Sequence, residues 1–246
     1  MKKDPISVHV DTPLDEVVQV IEKYDLVAVP VVDSIGRLVG RITVDDVMDE
    51  VREQAERDYQ LASGLSQDVE SHDNVFRQTS ARLPWLLIGR LGGIGNSMMW
   101  GNVDSTFAAH PDMARYIPLI GGTGGNVGTQ SSALVVQGLA NSSLDANGIW
   151  KQIIKESVVA VINATIISML VYIYNFIRFG ATATVSYSVS ISLFSVVMFA
   201  SIFGTLVPMT LEKLKIDPAI ATGPFISITN DIIGMMMYMG ITALLS

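Results

Sequence analysis

Hydrophobic and polar positions change their rhythm about a third of the way along the chain. Up to residue 50, short apolar runs alternate with a charged, helix-spaced one: ISVHV, LDEVVQVIEKY, VAVPVVD, GRLVGRIT and VDDVMDEV. Runs of four to eight residues rich in Val and Ile predict strands, and apolar positions three and four apart predict a helix. Together they predict a small α/β unit. Thr12 and Pro13 stand where an N-cap and first helical residue are expected, and Ile35-Gly36 marks a tight turn. Val44 to about Ser63 reads as a charged helix, and residues 64–80, GLSQDVESHDNVFRQTS, as a hinge or short amphipathic connector.

Five long apolar segments follow, near residues 84–103, 114–139, 153–176, 185–211 and 219–245. About 20 apolar residues cross a bilayer core, so the last four are spans by length alone. The first, with Arg90, Asn96 and several glycines, is weaker and reads as either a span or a re-entrant segment. Basic side chains decide for a span. With five crossings and a cytoplasmic start, Arg82, Arg90, Lys151, Lys155, Lys213 and Lys215 fall on the inner side, against Arg115 and Arg178 outside. The expected architecture is an α-helical membrane protein of five transmembrane helices preceded by a small α/β motif and a connecting helix. Its N-terminus faces the cytoplasm and its C-terminus the outside.

Charge agrees with that division. Residues 1–80 hold 17 acidic and 8 basic side chains, and residues 81–246 hold 7 and 8, so the net −8 resides in the first part. The start, MKKDPISVHVDT, turns acidic and polar at once, so a cleaved leader is not expected. The absence of cysteine excludes disulfides, thiolate metal sites and cysteine nucleophiles. His9, His72 and His110 have no HExxH spacing and no GxxxxGK[ST] loop is present, so the chain is not expected to be an enzyme or an ATP-driven pump. Nothing points to a nucleic acid or a protein substrate.

Candidate chemistry lies inside the apolar segments. Asp231 is the sole carboxylate of AIATGPFISITNDIIGMMMYMGITALL. An acid near the bilayer centre costs roughly 2.5–3.5 kcal/mol on insertion scales, so such residues usually face a wet or protein-lined interior and serve a function. Ser227, one turn earlier, shares its face, and Thr222-Gly223-Pro224 is expected to loosen the preceding turn and bare carbonyls to water. The second span carries PLIGGTGGNVGTQSS, whose glycines at 121, 122, 124, 125 and 128 serve either close helix packing or exposed carbonyls. Asn126, Thr129, Gln130 and Ser131 add neutral oxygens. Carboxylate, amide, hydroxyl and carbonyl oxygens suit a hard cation, and one Asp per subunit suits Mg2+, which keeps most of its waters. The helix after the α/β unit concentrates Asp45, Asp46, Asp49, Glu50, Glu53, Glu56 and Asp58 against Arg52 and Arg57. It reads as either a solvated face or a cation sensor whose repulsion Mg2+ screens. Asp46, Asp49, Glu53 and Asp58 form the candidate regulatory set.

These stretches resemble the MgtE family of magnesium channels and transporters. DPISVHVDTPLDEVVQVIEKYDLVAVPVVDSIGRLVGRITVDDVMDEV resembles one CBS motif (residues 1–50), PLIGGTGGNVGTQ the family's glycine-asparagine signature, and DPAIATGPFISITNDIIGMMMYMG its last helix. The resemblance implies a homodimer in the cell membrane, a pore along the dimer axis, and hydrated Mg2+ selected beside Asp231. Asn126, Gly122 and Ser227 then line the pore, and residues 81–246 form the pore domain. It also implies closure by cytosolic Mg2+ through a plug-like connecting helix, residues 51–80. Asp46 and Asp58 match acidic sensor positions, whereas Gln54 and Arg57 stand where acids are expected. Relatives typically carry a helical domain and two paired CBS motifs; the single motif here is shortened relative to that pattern, which leaves adenine-nucleotide binding in doubt. Two other readings remain open: a pore for another divalent cation such as Co2+ or Mn2+, and a CBS-bearing sensor or scaffold without transport.

Overall fold

The computed structural model describes residues 6–100, 111–140, 148–180 and 184–245. Residues 1–5 of the α/β motif, 101–103 of the first expected span, and His110 lie outside them. The chain forms two compact units, Met1–Asp58 and Tyr59–Ser246.

In the first unit, β1 (Val8–His9), α1 (Leu14–Tyr24), β2 (Ala28–Val32) and β3 (Leu38–Thr43) precede α2 (Val44–Ala62), which continues into the second unit. β1 pairs with β2 in parallel and β2 with β3 antiparallel, so β2 is the central strand. The β2–β3 turn closes as the Asp33 carboxylate accepts from the N–H groups of Ile35 (3.1 Å) and Arg37 (2.8 Å), while Gly36 supplies φ +79°. Val8, Val17, Ile21, Val29 and Val47 form the core, the periodic positions of the sequence pattern. The start of α1 differs from expectation. Helix begins at Leu14, Pro13 occupies the cap position at ψ 147°, and the Thr12 hydroxyl accepts from the His9 N–H (3.0 Å) instead of capping. Thr12 is therefore spent on the strand-to-helix turn.

In the second unit α2 ends at Ala62, and α3 spans Val75–Trp100. The residues expected as one connecting helix, 51–80, are thus two helical pieces joined by a folded turn. Gln60 accounts for much of that turn: its amide donates to the Asp68 carboxylate and Val69 carbonyl, and its carbonyl accepts from the Val69 N–H, all at 3.1 Å. Gln78 donates to the carbonyls of Glu70, Ser71 and Asp73, and Asn74 caps α3 by accepting from the Arg77 N–H (2.9 Å). Residues 64–74 are therefore a tied loop, not a slack hinge.

Four further helices follow: α4 (Ile117–Ala140), α5 (Ile149–Phe179), α6 (Thr184–Lys213) and α7 (Pro224–Leu245), with 3₁₀ turns at Met113–Tyr116 and Pro218–Ala221. Side-chain pairs give their directions. Tyr116 donates to Asn175 near one end of α4 and α5, and Ser131 meets Glu156 towards the other, so these helices are antiparallel. The Tyr172–Tyr187 ring pair likewise makes α5 and α6 antiparallel. Met113, Tyr116, Ile120, Val189, Leu193, Val196, Met235 and Tyr238 fill one end of the bundle, where the Tyr238 hydroxyl donates to the Met113 carbonyl (2.7 Å). The outer faces of α5 are apolar and exposed, as in Ile154, Ile162, Ile166, Leu170 and Ile177. Such faces suit lipid. Among the described residues three segments are long and apolar enough to cross a membrane, Ile149–Phe179, Thr184–Lys213 and Pro218–Leu245. α3 and α4, at 26 and 24 residues, have the length but are diluted by Arg, Asn, Gln and Gly.

Candidate functional site

Glycines let α4, α6 and α7 meet at backbone distance, and the site is built at that seam. On α4, Gly124 packs towards Val196 of α6 and the Asn230 carbonyl of α7, at 3.1 and 3.4 Å from where a Cβ would stand. Gly128 receives the Asn230 amide and the Ile226 side chain on one flank, and its own carbonyl lies against Gly204 of α6. These glycines are packing residues. Gly121 and Gly122, by contrast, have open space beside them and are not packing contacts of this seam.

Gly125 brings α4 onto the predicted acid. A Cβ on Gly125 would stand 2.7 Å from Ser227 Oγ and 2.8 Å from Asp231 Oδ1. Ser227 and Asp231, four residues apart on α7, therefore present one face to this glycine, as helical spacing requires. Asp231 Oδ1 is buried and makes no hydrogen bond of acceptable geometry. A packing role would tie this oxygen to a side-chain donor on a neighbouring helix; among the described residues no side chain donates to Oδ1, and the group against it on α4 is the Gly125 backbone. Asn126 and Gly122 lie on the exposed side of α4, Asn126 directly after Gly125. Thr129 Oγ1 donates to the Gly125 and Asn126 carbonyls (3.0 Å each). The four residues selected from sequence, Gly122, Asn126, Ser227 and Asp231, thus belong to the two helices that meet at Gly125.

The turn before α7 behaves otherwise than expected. Pro224 is the first residue of the helix, where its missing N–H breaks no ladder, and Gly223 supplies φ +54° ahead of it. The nearby carbonyls are occupied within the protein: Ala221 accepts from Ser132 Oγ (3.1 Å), Ala219 from Thr222 Oγ1 (2.7 Å), and Gly223 from the Ser227 N–H (3.0 Å).

The regulatory set is not gathered. Among the described residues, no three His, Asp or Glu side chains converge to hold a metal. Asp46 forms a capping box: its Oδ2 accepts from the Thr43 hydroxyl (2.5 Å) and N–H (3.1 Å) at the start of α2. The Thr43 hydroxyl, then the Thr43 N–H, hold this carboxyl below the usual carboxylate range. Arg57 pairs with Glu53 (2.8 Å) and Glu50 (3.3 Å), neutralising part of the face. Asp49 is exposed and Asp58 half-buried.

Asn230 and Glu156 are among the buried polar residues that escaped the sequence reading. Asn230 is 1% exposed, with neither amide atom hydrogen-bonded among the described residues. Glu156, within the third apolar segment, is 7% exposed and accepts from two serines. A carboxylate inside an apolar run is the same signal that singled out Asp231.

Gly125→Ala is expected to cost about 1–3 kcal/mol of stability while the protein still folds, because the added methyl meets the Ser227 and Asp231 side-chain ends. A melting temperature lowered relative to wild type checks it.

Comparison with known proteins bears on the same residues. The family model described as MgtE, divalent cation transporter, matches residues 117–241, from the start of α4 almost to the end of α7, and a CBS domain model matches residues 1–53. The magnesium transporter MgtE of Bacillus subtilis is 34% identical over 227 residues, 92% of this chain and 50% of the relative. Those of Enterococcus faecalis and Thermus thermophilus are 32% and 31% identical, over 97% and 100% of this chain and 52% and 54% of theirs. The chain spans about half the length of these relatives. With the family match running through the glycine seam and both residues of the α7 face, the chain belongs to the MgtE family of divalent cation transporters.

Proposed function

We propose that this chain provides the membrane pore of a magnesium transporter, with five transmembrane helices (α3 to α7), working as a homodimer in the cell membrane. The observation that carries this reading is Asp231: a buried carboxylate oxygen to which no side chain donates among the described residues, on a helix long and apolar enough to cross a membrane, against a glycine of α4 and a serine of its own helix. An oxygen left without a side-chain donor is available to a cation and its waters. Mg2+ dehydrates reluctantly and is held by few carboxylates and several retained waters, which matches one acid beside the Ser227 hydroxyl, with Asn126 one residue after Gly125 on α4. An inside-negative potential favours entry of a doubly charged ion by about 4.6 kcal/mol per 100 mV, so the path needs no coupled ion. All three relatives named above are magnesium transporters, in keeping with this cargo. Mg2+ uptake into liposomes holding the purified protein, with Co2+ and Mn2+ as competitors, tests it. Uptake of Co2+ or Mn2+ in preference to Mg2+ would replace the ion, and absence of all uptake would favour a sensor or scaffold.

Cytosolic Mg2+ closes this pore in our reading, through the acidic face of α2. The sensing set is Asp46, Asp49, Glu53 and Asp58, of which Arg57 already offsets Glu53 and the Thr43 cap engages Asp46. The variant Asp49→Asn/Asp58→Asn is expected to keep conducting when Mg2+ on the α2 side is raised to a level that silences wild type. Closure at the wild-type concentration would remove the sensor claim.

A further inference from the structure

Glu156 is a buried acid that the ion path described above does not use. It sits on α5, seven residues after the helix starts, and is 7% exposed. Its Oε1 accepts from Ser131 Oγ of α4 (2.6 Å) and Ser201 Oγ of α6 (2.5 Å), and the two hydroxyls stand 3.0 Å apart. Among the described residues it forms no ion pair with a basic side chain. Acids inside a membrane are costly and rare, and are retained where they serve a path or its geometry.

Its position in the bundle says which. Ser131 lies three residues after Gly128 on α4, and Ser201 three residues before Gly204 on α6. At Gly128 and Gly204 the two backbones meet directly, with no room for a Cβ on Gly204. Gly128 also packs against the side chain of Asn230, whose neighbour in sequence is Asp231. A single carboxylate oxygen thus ties two helices about one turn from this meeting point, and that approach sets where α4 presents Gly125 to Asp231. Buried hydrogen-bonded groups of this kind hold one arrangement of neighbouring elements because each alternative leaves polar atoms unpaired.

We infer that Glu156 is a positioning residue for the ion path, acting through Ser131 and Ser201 to hold α4 against α6 and thereby the α4 lining at its distance from Asp231. This rests on the pore reading above. The acceptor oxygen carries the role, not the net charge. Glutamine in its place still offers a carbonyl oxygen to both hydroxyls; alanine offers none.

The test measures Mg2+ and Co2+ uptake by liposomes, per folded molecule, for wild type, Asp231→Asn, Glu156→Ala, Glu156→Gln and Ser131→Ala/Ser201→Ala. Wild-type uptake that Asp231→Asn does not abolish would sink the pore reading itself, whatever Glu156 does. Given Asp231-dependent uptake, Glu156→Ala is expected to lower Mg2+ flux about tenfold and to change the Mg2+ to Co2+ ratio about threefold or more, since a displaced lining alters discrimination as well as rate. The double serine variant should reproduce that ratio, and Glu156→Gln should keep it within about twofold of wild type. A Glu156→Ala protein with lowered melting temperature but the wild-type ion ratio would show a purely structural role and overturn the inference. So would Glu156→Gln behaving as Glu156→Ala does, because charge would then be the requirement. Should Glu156→Ala fail to fold, the double serine variant decides, a wild-type ratio there overturning the proposal.

Discussion

Asp231→Asn is expected to cut Mg2+ flux by about 100-fold or more while leaving the folded protein intact. The substitution keeps the volume and removes the charge. A Mg2+ ion with its waters sits roughly 5 Å from the carboxylate it faces, and at an effective dielectric near 20 a charge of +2 against −1 gains about 7 kcal/mol there. Dehydrating the mouth of the site and screening take back part of this gain, and about 3 kcal/mol remaining corresponds to the 100-fold loss. Folding should not suffer, because no side chain donates to Asp231 Oδ1 among the described residues and the Asn amide keeps an oxygen for the Gly125 backbone. The readout is paired: ion flux, and melting temperature with size-exclusion behaviour in detergent. Lost flux with lost assembly would assign Asp231 to packing instead.

Gly204→Ala should act in the opposite way, on stability first. A Cβ there would overlap the Gly128 carbonyl oxygen and stand 3.1 Å from both its carbonyl carbon and its Cα. The obstruction is backbone, so no side-chain rotation relieves it and α4 and α6 must separate. Overpacking of this kind costs about 1–3 kcal/mol, and more where main chain is the obstacle. For a protein of this size roughly 3 kcal/mol lowers the melting temperature by about 10 °C. Gly93→Ala is the control: nothing lies within 4 Å of its Cβ position, and alanine favours helix over glycine by about 1 kcal/mol. Equal melting temperatures for the two variants would refute the close α4–α6 approach.

How much of this was legible beforehand depends on whether a residue's partner is near in sequence. Asp231 and Asn126 stand out because a polar group in an apolar run is costly wherever the run packs, and Ser227 follows from helical spacing alone. Strands and helix of the first unit follow from period, as Val8, Val17 and Val29 show by being buried. Glu156 carried the same signal as Asp231, but its meaning rests on Ser131 and Ser201, 25 and 45 residues away in sequence. Gly125 could not be separated from its neighbouring glycines until α7 was in place. Residues 64–80 read as a hinge or short amphipathic connector, and the order of the 64–74 turn stays hidden because it comes from the amides of Gln60 and Gln78 reaching eight or nine residues along the chain. Asp46 shows two local signals in conflict, since the Thr43–Asp46 spacing of a capping box was present alongside the acidic run that suggested sensing.

The most direct test is Mg2+ flux into liposomes containing the purified protein, measured beside Asp231→Ala at equal amounts of correctly assembled protein. The account predicts Mg2+ entry driven by an inside-negative potential in wild type and its loss in the variant. Equal entry in both, or none in wild type, would contradict it.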